Sequence, residues 1–355
     1  MIQRLRVVAI AVLATLAVAA PGAGQGQVLL ESLFERYLDS LRQQTGIPGL
    51  SAVILRDGQI VWQRGFGQQD AEGSVPATPD TPYPVGGLTQ TVSAVLLGEC
   101  SERGLLNIDE PVVRWAPGFP EPLATVRHVL AHASDGAPAG RFRYDETRYA
   151  ALSHVAEDCS GEPFREALTE DVLDRLAMVD SVPGQDLGVE GNPARDLFEK
   201  PALDRYAAVL ARVAVPYRVD RNGRASRNDQ TPRGLSAADG LVSTVMDLAK
   251  FDRALDDGIL LLPDTLGVAW SPANFTGTPL PTGLGWFVQT YQGEKLVWHF
   301  SQIPDAYSAL ILKLPSRRLT LIMLANSDGL SRGAGLEQGD VTASPFVKIF
   351  LRLFF

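Results

Sequence analysis

The chain has 355 residues, with 41 acidic against 32 basic side chains and a net charge of −9. A hydrophobic fraction of 45% and a charged fraction of 21% are globular values: they provide core enough for one large domain or two ordinary ones, and they exclude a disordered chain. The acidic balance, with no Lys/Arg block, excludes a nucleic-acid binder, and two cysteines are too few for a disulfide scaffold or a cysteine-built zinc site.

The elements follow in chain order. Arg4 and Arg6 precede an apolar run over residues 7–20, and small residues follow it. A charged start, a short apolar core and a small-residue exit predict a signal peptide over residues 1–24, because the run is shorter than the ~20 residues of a membrane span. The mature chain is then exported, periplasmic or secreted, with no stable membrane span after signal cleavage. It loses two arginines and carries a net charge of −11. Next, Leu30, Leu33, Phe34, Tyr37, Leu38 and Leu41 form one helical stripe that stops at Gly46 and Pro48. Residues 51–56 and 59–64, joined by Asp57-Gly58, read as a β-hairpin.

Residues 89–103 are apolar on most sides and predict a buried central helix ending at Gly104. Shorter helices are expected over 125–132, 148–159 and 163–176. Residues 183–232 are rich in Gly, Pro, Asp and Asn and read as loops around a helical island at 203–213. A further helix covers 243–255. The period then returns to two, predicting strands over 285–291, 296–300, 307–314 and 319–324, and residues 344–355 predict a closing helix. Strands at both ends of a helical middle make an α+β protein whose sheet is discontinuous in sequence. Cys100 and Cys159 could oxidise to a disulfide in an exported chain, but both fall in helical stretches, which favours two buried free thiols.

Six segments, in order, resemble the serine β-lactamase and penicillin-binding superfamily, in its branch of class C β-lactamases, D-aminopeptidases and esterases. They are Gly46-Ile47-Pro48-Gly49-Leu50 with the following hairpin, Thr125-Val126-Arg127-His128-Val129-Leu130-Ala131-His132-Ala133-Ser134, Arg143-Tyr144-Asp145-Glu146, Gly240-Leu241-Val242-Ser243-Thr244, Gly283-Leu284-Gly285-Trp286, and His299 with Asn326. The resemblance runs from about residue 28 to 350. It implies a β-lactamase/transpeptidase-like α+β fold, an antiparallel sheet flanked by N- and C-terminal helices plus a mainly helical region. One domain is then expected over 28–355, with its sheet region at 28–86 and 270–355 and its helical region at 87–269.

The resemblance also implies chemistry. Family members acylate the serine of an S-x-x-K box, activated by that lysine and by the tyrosine of Y-x-N, while backbone N–H groups form an oxyanion hole. Here Gly87 stands at the serine position and Gln90 at the lysine. The chain contains no other S-x-x-K and no G-x-S-x-G. In the second box Tyr144 remains, but Glu146 replaces asparagine. In the third, His299-Phe300-Ser301 keeps the histidine and has Ser301 in place of glycine. Thr89 is roughly 200° round the helix from position 87 and does not substitute for the missing serine. The two exchanges Lys to Gln and Asn to Glu lower the formal charge of the inferred cleft by two, which disfavours carboxylate ligands. Candidate partners for Glu146 are His299, Arg148 and Arg143.

The reading from sequence is therefore an exported homologue without acyl-enzyme catalysis. Tyr144, Glu146, His299 and Ser301 would bind a peptide, a peptidoglycan-like cell-wall fragment or a partner protein in the old cleft. The alternatives are a hydrolase of esters, amides or β-lactams that uses Tyr144, Glu146 and His299 by another mechanism, and a non-catalytic scaffold with a filled cleft. No cofactor and no metal is expected. His128 and His132 read as structural, His154 as a helix-surface residue, and Asp109-Glu110 and Asp256-Asp257 as caps and solvated faces.

Overall fold

A computed structural model describes residues 22–136 and 139–355. The expected leader lies outside the described residues, apart from residues 22–24 at the start of the first helix. Helix α1 (Gly22–Thr45) leads into β1 (Gly49–Arg56), β2 (Gln59–Asp70), β3 (Val75–Pro76) and β4 (Tyr83–Pro84). The helical region follows, with α2 (Thr89–Glu102), α3 (Val126–Leu130), α4 (Glu146–Tyr149), α5 (Leu152–Ser160), α6 (Phe164–Leu168) and α7 (Lys200–Leu210). A small hairpin of β5 (Tyr217–Val219) and β6 (Ala225–Arg227) precedes β7 (Val242–Ser243), α8 (Val245–Asp256) and α9 (Pro263–Ala269). The chain closes with β8 (Phe287–Tyr291), β9 (Glu294–Ile303), β10 (Tyr307–Leu314), β11 (Leu319–Ala325) and α10 (Pro345–Phe354).

The main sheet has seven strands in the order β3-β2-β1-β11-β10-β9-β8, with antiparallel pairings. It is discontinuous as expected: the N-terminal hairpin docks on the last strand, with Leu50 opposite Ala325 and Val53 opposite Ile322. Strand β4 departs from the expected boundary at residue 86. It pairs with β7 in the helical region and not with the main sheet.

The central strands lack polar alternation because both faces are covered. In β1, Leu50, Ala52 and Ile54 join the core beneath α1 and α10, whereas Val53 and Leu55 join the core beneath the helical region. Phe34 on α1 makes edge-on contacts with Trp62, Phe350 and Phe354, which seats both terminal helices on one face of the sheet. Asn326 fastens the hairpin: its side chain accepts from Gly49 N–H at 2.7 Å and donates to the carbonyls of Gln68 and Gln69.

Four expectations need correction. The helix expected over 148–159 breaks at Ala150 and Ala151 into α4 and α5, and that over 163–176 becomes α6 followed by a wide turn over Thr169–Asp174. Cys100 and Cys159 are not free thiols; they form a disulfide joining the last turns of α2 and α5. Asp256 is not simply a solvated acid, since it pairs with buried Lys313 at 3.0 Å. No helix among the described residues is long and apolar enough to cross a membrane.

Candidate functional site

The site forms where the start of α2, the segment before α4 and strand β9 meet. Gly86–Leu88 make a single 3₁₀ turn that sets Gly87 N–H against Ser301 of β9 and feeds α2, whose first turn carries Gln90. Asp145 caps α4 by accepting from Arg148 N–H, and this turn brings Tyr144 and Glu146 beside Gly87 and Gln90. The pleat of β9 places His299 and Ser301 on one face. The segment Thr125–Ser134 is held by a capping box between Thr125 and His128, whose ring stacks on Phe275. His132 has φ +50°, in the left-handed region that side chains other than glycine seldom adopt. That turn directs its ring onto Tyr144 and Tyr149.

The polar groups connect in one direction. Asp145 N–H donates to His132 Nδ1 at 3.2 Å, which makes Nδ1 the acceptor and leaves the proton on Nε2. His132 Nε2 then donates to Gln90 Oε1 at 2.9 Å, Gln90 Nε2 donates to Tyr144 Oη at 3.3 Å, and Tyr144 Oη donates to Glu146 Oε1 at 2.9 Å. Every donor meets an acceptor, and the chain ends on a partly exposed carboxylate. Burial holds His132 neutral, with its pKa lowered to about 3, and His299 nearby adds to the effect. Burial also raises the Tyr144 phenol well above its usual range, and the Glu146 charge adds to that, so Tyr144 is a donor and not a base. Burial raises Glu146 as well, against the stabilising bond from Tyr144.

The space beside Gly87, where the resemblance leads one to expect the nucleophile, is tightly bounded. A Cβ on Gly87 would lie 2.9 Å from Tyr144 Oη, 2.9 Å from the Phe300 carbonyl oxygen and 3.2 Å from Glu146 Oε1. Gly87 N–H donates to Ser301 Oγ at 3.0 Å, so a backbone donor of the oxyanion-hole kind is already occupied by a side chain. Ser301 thus fills space at the centre of the site as well as narrowing the strand edge: a Cβ on the neighbouring Gly86 would lie 2.0 Å from its Oγ.

The expected partners of Glu146 are replaced by Tyr144. His299 makes no bond to Glu146; its Nδ1 lies 2.9 Å from Phe300 N and Phe300 O, and its Nε2 is buried without a hydrogen-bond partner among the described residues. Burial lowers the His299 pKa to about 4, so it too is neutral near pH 7. Arg148 is committed to Glu121, Asp135 and Asp145, and Arg143 to Asp135. Thr89 Oγ1 faces Leu241 N–H, away from the cleft. His154 lies on the surface beside Glu157, and Asp109 pairs with Arg127. His132 was missed as a site residue. The signal available was its place at the end of a recognised segment, but only its unusual turn brings it to Gln90. No group of three His, Cys, Asp or Glu side chains among the described residues is placed to hold a metal ion.

The seven-stranded sheet with the third motif segment on β9, its terminal helices on one face, and the helical layer carrying the other two motif segments make up the serine-hydrolase fold of β-lactamases and penicillin-binding proteins. The pattern of the Beta-lactamase family matches residues 34–340, and the chain belongs to that family. It is 23% identical over 272 residues to the putative penicillin-binding protein PbpX of Bacillus subtilis, covering 69% of this chain and 63% of that protein. It is 28% identical over 217 residues to the esterase EstB of Burkholderia gladioli, covering 53% and 54%. The chain therefore spans less than two thirds of the length of these relatives. The octameric penicillin-binding protein homologue from Pyrococcus abyssi shares the fold, with a TM-score of 0.71, 23% identity and coverage of 90% of this chain and 77% of that one.

Proposed function

We propose that this chain is an exported member of the family that has exchanged serine acylation for binding, and that its cleft takes a neutral or cationic group of a peptide-like or cell-wall-derived ligand, or of a partner protein. The observation that carries this reading is the environment of Gly87. The space for a serine side chain is bounded by Tyr144 Oη and Glu146 Oε1, and the adjoining N–H is bonded to Ser301. An amide at position 90 cannot take up the proton of a nucleophile, whereas the partly exposed Glu146 offers an acceptor at the rim. The Cys100–Cys159 disulfide supports export independently of the leader, because such bonds persist in oxidising compartments.

Stoichiometric labelling of the native protein by a fluorophosphonate or penicillin probe would overturn the loss of acylation; no labelling is expected. Gly87→Ser with Gln90→Lys alone is expected to remain inert, because Glu146 and Ser301 still occupy the site. Adding Glu146→Asn and Ser301→Gly clears both and is expected to restore labelling. A second reading is a hydrolase that uses Glu146 as a general base, favoured by the upward shift that burial gives its carboxyl. Ester turnover that survives repurification and vanishes in Glu146→Ala would establish it in place of the first.

A further inference from the structure

One and two turns beyond Gln90, α2 borders a cavity with a volume of about 230 Å³. Ala94, Val95 and Gly98 of α2 form its floor, and Leu130, Val268 and Trp286 close it on other sides. The cavity adjoins a wider cleft of about 730 Å³, with which it shares Arg127, Val268 and Leu284. The outer cleft is mixed: Asp264, Ser271 and Asn274 line it together with Pro263, Ala273 and Phe275. A mainly apolar chamber beside a cleft that carries a few polar groups has the make-up of an amphipathic ligand site.

The charge at the mouth is decided by pairing. Arg127 is satisfied by a two-pronged bond to Asp109, Nε to Oδ1 at 2.6 Å and one terminal nitrogen to Oδ2 at 2.9 Å. Asp264, exposed in the first turn of α9, has no hydrogen bond or ion pair among the described residues. The mouth therefore presents one uncompensated carboxylate above an apolar chamber. An apolar cavity of ~150 Å³ accepts benzene, so this one has room for a single ring with a short substituent.

We propose that this cavity is a second ligand site, separate from the Gly87 cleft, for small amphipathic amines: an aromatic or branched apolar body seated between α2, Val268 and Trp286, with its ammonium group toward Asp264. This does not depend on the reading of the Gly87 cleft.

Benzylamine, protonated at pH 7, is the probe, with benzyl alcohol and benzoate as neutral and anionic counterparts. Titration into the full chain is followed by tryptophan fluorescence and by ligand-observed NMR. Benzylammonium is expected to alter the emission, with the change lost in Trp286→Phe while the NMR signal of binding persists. It is expected to bind about fivefold more tightly than benzyl alcohol, the scale of one exposed charge pair, and Asp264→Asn should abolish that margin. Val268 is 53% exposed, so Val268→Trp can cover the chamber without rebuilding the core and should weaken binding of benzylammonium and benzyl alcohol alike at least tenfold. The proposal is overturned by the absence of benzylammonium binding, by binding unchanged in a folded Val268→Trp protein, or by benzoate binding as tightly as benzylammonium.

Discussion

Two of the polar networks among the described residues handle charge in opposite ways. Between the sheet and α8, Lys313 on β10 is 1% exposed and donates to Asp252 and, at 3.3 Å, to Thr320 Oγ1. Asp256 adds a second carboxylate at 3.0 Å, and the Trp270 ring lies 5.3 Å from the ammonium. At the candidate site, Gln90 stands where the resemblance leads one to expect a lysine, and a neutral relay runs from His132 to the single carboxylate of Glu146. The contrast shows what a buried lysine requires here. The fold retains one where two acids surround it. At the candidate site it has a neutral amide, and the negative charge has moved to the rim.

The largest expected effect lies in the charged network. Lys313→Met leaves Asp252 buried without its cation, and its Oδ2 already lacks a partner among the described residues. A loss of about 3–5 kcal/mol in urea unfolding is expected. The double change Lys313→Met with Asp252→Leu should recover most of it; if the single change were as mild as the double, the lysine would not be compensating a buried charge.

The neutral relay makes a prediction about pH. His132 and His299 have folded pKa values of about 3 and about 4, below the 6.5 of the unfolded chain. Over that interval the unfolded state binds more protons, so stability is complete above pH 6.5, declines as pH falls through the window, and stops declining below about 3. Each histidine is expected to contribute about 3–5 kcal/mol to the acid limb. Glu146, whose carboxyl is raised by burial, acts in the opposite direction. Denaturant titrations across this range should show a flatter limb for His132→Gln. An unchanged limb would mean that His132 is not held neutral.

The smallest effect concerns the middle of the relay. Gln90→Leu removes the acceptor of His132 Nε2–H and a donor to Tyr144, and is expected to cost about 1–3 kcal/mol. Gln90→Glu keeps an acceptor for His132 but places a second carboxylate beside Tyr144, so it should raise the phenol pKa further, which is measurable by the ultraviolet titration of tyrosine.

Much of the fold was legible in the residues. The stripe from Leu30 to Leu41 gave α1, Asp57-Gly58 gave the first hairpin, and the continuous apolar runs near the C-terminus gave β9, β10 and β11. Helices were less legible where packing interrupts them, as at Ala150-Ala151, because local periodicity does not register a break imposed by tertiary contacts. At the site, Gly87, Gln90, Tyr144, Glu146, His299 and Ser301 were found by their place in ordered motifs. Their partners were not, since the pairing of Glu146 depends on which side chain points across the cleft.

The sequence by itself determined that this is an α+β member of a serine-hydrolase family, and it raised the expectation that Gly87 and Gln90 stand at the nucleophile and lysine positions, because element order and residue identity are both linear properties. Only the tertiary structure decided that Ser301 takes the Gly87 N–H, that Tyr144 and Glu146 bound the space of the missing side chain, and that His132 begins a relay ending on Glu146. It also decided that Cys100 and Cys159, separated by 59 positions, are joined. The reason is common to all of these: each depends on the meeting of side chains from segments far apart in the chain, and in this protein packing sets those approaches.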